Sequence, residues 1–158
     1  LAGSTACDDS GYSLYEVGDE VFIGTHTYRA VLPDEFDTFR EGQEVDVVIG
    51  TQGSMMVVAA IKTNRVPISD DPFTVSVTLS DKDGVELSHL TLRRYPTLES
   101  DMMMYFSNLY AVVTATLEDE YSWDGEFSSL RVQVRGLDNT TFIDETVELR
   151  LRATEELF

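Results

Sequence analysis

Phe73-Thr74-Val75-Ser76-Val77-Thr78-Leu79 alternates apolar and hydroxyl side chains without a break. A strand places successive side chains on opposite faces, so this stretch predicts a half-buried β-strand with Val75 and Val77 inward and the threonines wet. Asp81-Lys82-Asp83-Gly84 follows with hairpin chemistry, because Gly accepts positive φ and Asp bonds its own backbone. The return strand is expected from about Val85 to Arg94.

The same period extends outward in both directions. Val45, Val47 and Ile49 alternate up to a turn or bulge at Gly50-Thr51-Gln52-Gly53-Ser54, and Met55 to Ile61 then reads as a continuously apolar central strand. Lys62-Thr63-Asn64-Arg65 and Pro67 end it. Beyond Arg94, Pro96 and Glu99-Ser100-Asp101 mark a loop, a strand is expected over Leu109 to Leu117, and Asp124-Gly125 supplies another turn. Leu130, Val132 and Val134 alternate with Arg131, Gln133 and Arg135, and Val147, Leu149 and Leu151 with Glu148, Arg150 and Arg152.

Roughly seven to nine such strands predict an all-β fold, an antiparallel β-sandwich in which two sheets pack face to face. The single cysteine leaves no internal disulfide, so the comparison is with Ig-like sandwiches that lack one. A closed β-barrel is the alternative, since alternation reads alike in both. Residues 1–20 lack patterned apolar side chains and are expected to form a signal remnant and flexible tether, with 21–158 as one sandwich domain.

Twenty-nine acidic residues against 11 basic ones give a formal charge of −18, which repels phosphate backbones and disfavours a nucleic-acid partner. The same charge opposes adsorption to anionic lipid, so a membrane is expected to be reached only through a covalent lipid. No run of roughly 18 apolar residues encodes a transmembrane helix.

Cys7 follows Leu1-Ala2-Gly3-Ser4-Thr5-Ala6, a run of small residues that resembles the end of a bacterial lipoprotein signal peptide. Ala6 and Cys7 match that pattern, while Ser4 stands where Leu is commonest. The resemblance implies diacylglycerol on the Cys7 thiol and a lipid-anchored place in a bacterial cell envelope, periplasmic or surface-exposed. The stretch Gly42 to Met55 also resembles a pattern in uncharacterised envelope lipoproteins of myxobacteria, in which a strand ends in a Gly-x-Gln-Gly-Gly-x-His type turn. Gly50, Gln52 and Gly53 fit; Ser54 replaces the second Gly and Met56 stands in place of the His. That family carries no established activity, so the resemblance implies an address and a fold rather than a reaction.

Nucleophilic hydrolysis needs a base beside its Ser or Cys, and the chain offers only His26 and His89. His89 falls within an alternating strand and His26 near an edge or turn. With no Gly-x-Ser-x-Gly, Walker or His-Glu-x-x-His motif, a non-enzymatic protein without cofactor is expected. Carboxylate pairs able to do glycosidic chemistry arise by chance in so acidic a chain.

Two alternatives involve metal. Met102 and Met104, with His26 and His89, offer the thioether and imidazole ligands that copper prefers, although neighbours along a strand point to opposite faces and methionine also fills core gaps. Asp81 and Asp83 resemble the start of a calcium loop, although Leu92 occupies the twelfth position and a plain hairpin accounts for the same residues. Aromatic residues form the remaining feature: Tyr121, Trp123 and Phe127 around Asp124-Gly125, and Tyr105 and Phe106 after the methionines. Exposed in loops, they would suit a protein or glycan partner; inward, they would cap the core. Asn139-Thr140-Thr141 matches a glycosylation acceptor pattern. The reading is a binding or structural module of the envelope, with metal binding as its alternative.

Overall fold

Ten strands run through residues 14–27, 29–113 and 122–157, the part of the chain that the computed structural model describes. They are β1 (Val21–Thr25), β2 (Asp37–Thr38), β3 (Gln43–Ile49), β4 (Met55–Thr63), β5 (Phe73–Ser80), β6 (Glu86–Arg94), β7 (Thr97–Leu98), β8 (Met104–Val112), β9 (Phe127–Arg135) and β10 (Thr141–Leu157). Hydrogen bonds link them in the order β2-β1-β4-β3-β10-β9-β5-β6, with β8 on the other side of β4 and β7 beyond β8.

The sheet is not closed into a barrel. It folds over on itself, so that β8 packs against β5 and β6 without pairing with them. One layer is β7-β8-β4 with β1, the other β10-β9-β5-β6, and β3 bridges them, bonding β4 through Val48 and Ile49 and β10 from Gln43 onward. That is the strand order of an Ig-like sandwich without its disulfide. Val57, Ala59 and Ile61 of β4 meet Val75, Val77, Leu130, Val132 and Leu149 in a single buried core.

The structure departs from the antiparallel expectation at one place, where β3 runs parallel to β10. Alternation reports the face of a side chain but not the direction of the neighbouring strand. A parallel pair requires a long crossover, and here almost the whole domain lies between its members.

β4 is buried along both faces, which is why it lacks alternation in sequence. Its outer face, with Ala60 fully buried, lies beneath the connection from β1 to β2. Phe36 of that connection packs edge-on against Tyr105, with ring centroids 5.6 Å apart. Residues 15–20, assigned to the tether by sequence, lie against the end of β4. The Tyr15 hydroxyl donates to Val66 O at 2.6 Å, and Gly18 N–H to Asn64 O at 2.8 Å.

Four hairpins, at Gly50–Ser54, Asp81–Val85, Glu99–Met103 and Gly136–Thr140, share one pair of bonds: first residue N–H to fifth C=O, and fourth N–H to first C=O. This is a three-residue loop with a bulge, and its fourth residue must take positive φ. Gly53, Gly84 and Asn139 meet that demand readily, but at the third hairpin Met102 does so, at φ 61°. A left-handed side chain other than Gly or Asn is strained by about 1–2 kcal/mol. Met102→Gly is therefore expected to raise stability by about 0.5–1 kcal/mol, after the greater unfolded-state freedom of glycine is offset, as read from the urea midpoint.

Candidate functional site

Most of the aromatic residues expected in loops point into the protein. β8 begins at Met104, five residues before the expected Leu109, so Tyr105 and Phe106 are strand residues, each 1% exposed. Phe106 packs edge-on against Phe73 in the core, and Trp123 is buried in the same cluster. The Tyr105 hydroxyl donates to Asp101 at 2.6 Å; burial first, and then the Asp101 carboxylate, push its pKa well above the tyrosine range. Phe127 is exposed, with the Arg150 guanidinium 5.8 Å from its ring centroid. Tyr121 and Cys7 lie outside the described residues. The described members of the set therefore form no exposed aromatic patch, because the start of β8, from Met104 to Phe106, is covered on both faces.

The copper and calcium sets are not brought together either. His26 is buried after β1, where its Nε2 accepts the Asn108 N–H at 3.1 Å and its Nδ1–H donates to Thr27 O at 2.9 Å. Asn108 sits at φ 57° in a bulge of β8, so His26 serves an amide that the sheet ladder leaves over. His89 lies in the other layer, on exposed β6. Met104 is buried against the core, and Met102 is the strained hairpin residue. One Asp81 carboxylate oxygen accepts the N–H of Asp83 and of Val85, the ordinary work of a hairpin aspartate. Among the described residues, no group of three or more His, Cys, Asp or Glu is placed to hold a metal ion.

The outward face of β6, β5 and β9 gathers a different constellation. Cross-strand register sets Arg93, Thr74 and Arg135 side by side, then Thr91, Ser76 and Gln133, then His89, Thr78 and Arg131. These nine positions hold three of the 11 basic residues and none of the 29 acidic ones. The middle of the grid is knit together: Ser76 and Thr91 hydroxyls are 3.0 Å apart, His89 Nδ1 is 2.8 Å from the Thr78 hydroxyl, and His89 Nε2 is 3.0 Å from that of Thr91. Fixed side chains of this kind present donors and acceptors at little further entropic cost.

Asp144 of β10 borders the grid. Arg131 holds it in two bonds of 2.8 and 2.7 Å, and Gln133 adds a third at 3.1 Å. Chiefly through Arg131, the Asp144 carboxyl lies below the usual carboxylate range. Arg135 also bears on it electrostatically, but makes no ion pair with it. A carboxyl depressed in the folded state stabilises the protein above its unfolded pKa, about 3.9, and that contribution disappears as pH falls through the folded value. Asp144→Asn is thus expected to melt below the parent protein at about pH 7, with the gap closing below about pH 4. Melting curves of the two proteins across this range check it.

Arg131, Gln133 and Arg135 are visible in sequence as one wet face. Their union with Arg93 and Thr74 is not, because it depends on the register of three strands. The Gly50–Ser54 turn lines a separate groove of about 320 Å³ with Met56, Tyr110 and Val112. There the turn glycines have a geometric reason: Gly53 takes φ 81°, and a side chain at Gly50 would press on Met56. Neither a protein-family model nor a curated protein matches the chain.

Proposed function

We propose that this chain is a non-catalytic binding module of a bacterial cell envelope, held by a lipid on Cys7 and meeting a protein or glycan through the outward face of β6, β5 and β9. The observation that carries the reading is the grid of arginine, imidazole, amide and hydroxyl groups, free of carboxylates, on a chain of net charge −18. In such a chain the bland outcome is an acidic face like the rest, and a cationic one implies a selected contact.

Residues 15–20 lie against Asn64 and Val66, so a tether from Cys7 would join the domain at that end. The seven steps from Cys7 to Leu14 span at most about 25 Å. An anchored domain would therefore stay near the bilayer, with the grid on its flank rather than at its tip.

Two measurements test this. The full-length precursor, expressed in a bacterial host, should give a mature mass carrying diacylglycerol on Cys7; an unmodified soluble product removes the anchor. Isolated envelope material should retain the Cys7→Ser protein, which cannot take the lipid, and release an Arg93→Glu, Arg131→Glu, Arg135→Glu variant of it. Equal retention of the two proteins removes the grid as the binding face.

A further inference from the structure

We infer that Arg93, Thr74 and Arg135 form a site for the carboxylate of an acidic polysaccharide, an assignment that rests on the grid being the binding face. Thr74 pairs with Arg93 on one side and Arg135 on the other. The two arginine backbones are thus two strand spacings apart, about 9–10 Å, and long side chains from both can close on one anion above the Thr74 hydroxyl. The guanidinium fork matches a carboxylate in two parallel bonds.

Among the described residues no carboxylate pairs with either of these two cations, and the sheet register sets them on either side of one residue. Arg131 is bound to Asp144, Arg152 to Glu44 and Asp46, and Arg65 to Glu145. Two cations flanking one small residue repel each other, and a chain with 29 acidic residues had ample means to neutralise them. An incoming anion removes that repulsion.

The rest of the grid indicates what carries the anion. Protein interfaces depend on buried aromatic or aliphatic anchors at their centre, and none of the nine positions supplies one. Hydroxyl, amide and imidazole groups spread over about 10 by 14 Å suit a ligand that is itself covered in hydroxyls. A short uronate-type oligosaccharide has that chemistry, whereas an acidic peptide does not. The charge of −18 does not forbid it: at about 0.15 M salt, charges more than roughly 8 Å away are screened.

The test is calorimetric titration of the whole protein at that salt with trigalacturonate, its neutral methyl ester and pentaglutamate. Trigalacturonate should bind, with the ester at least tenfold weaker. Arg93→Gln/Arg135→Gln should lose at least tenfold for the acid while melting like the parent, and Arg93→Lys/Arg135→Lys should recover only part of the loss, since lysine keeps charge without the fork. Equal binding of acid and ester, or no loss in the Gln pair, overturns the carboxylate site while the grid can still be the binding face. Pentaglutamate binding in place of trigalacturonate overturns the polysaccharide. If no probe binds, the site is refuted; if envelope retention is also indifferent to the three Glu substitutions, the binding face falls with it.

Discussion

Gly24→Ala is expected to cost about 3 kcal/mol, a large part of the stability of a domain this size. A methyl at Gly24 would fall against the backbone carbonyl of Asp37 and the tip of the Phe36 ring. The Asp37 carbonyl belongs to β2, which pairs with β1 at Gly24 and Thr25, so it cannot retreat without opening that pair. Phe36 cannot swing aside without uncovering Tyr105. The urea midpoint should fall with little change in slope. A variant within 0.5 kcal/mol of the parent would mean that the β1–β2 connection does not press on the outer face of the first layer.

Tyr105→Ala is expected to cost about 3–5 kcal/mol, the range for removing a buried aromatic side chain. The ring lies under Phe36, and its hydroxyl is the partner of an Asp101 carboxylate that also meets Lys62 at 3.4 Å. Tyr105→Phe isolates the hydroxyl and should cost about 1–2 kcal/mol, because Lys62 continues to neutralise Asp101. The pair of variants separates two roles. A binding aromatic in an exposed loop would lose partner affinity and leave stability alone; Tyr105 should do the reverse.

The fold was legible where one face of a strand is wet. Phe73–Leu79 and Leu130–Val134 show this most plainly, each strand inward at the apolar positions and outward at the polar ones. Legibility failed where both faces are covered. Met104-Tyr105-Phe106 alternates nothing, since Tyr105 is buried outside the core cluster and Phe106 within it, so nothing in its pattern marks a strand. The parallel β3–β10 pair was hidden for another reason, because no side chain records the direction of its neighbour.

The candidate site divides in the same way. His89 lies in a strand as expected, and the grid positions of β6 and β9 are turned to solvent, whereas Ser76 of β5, bonded to Thr91, is 4% exposed. What the sequence withheld was adjacency: Arg93 and Arg135 are 42 positions apart and meet only across Thr74. Conversely, His26 and the methionines attracted notice by residue type, while their actual work is to close a bulge, fill the core and occupy a turn.

The most direct measurement is a map of backbone amide shifts as trigalacturonate is added to the isotope-labelled protein. Changes are expected to concentrate at Thr74, Ser76, Thr91, Arg93, Gln133 and Arg135. Changes gathered instead around Gly50, Gln52, Met56 and Tyr110 would place the contact at the groove beside the Gly50–Ser54 turn and contradict the grid as the binding face.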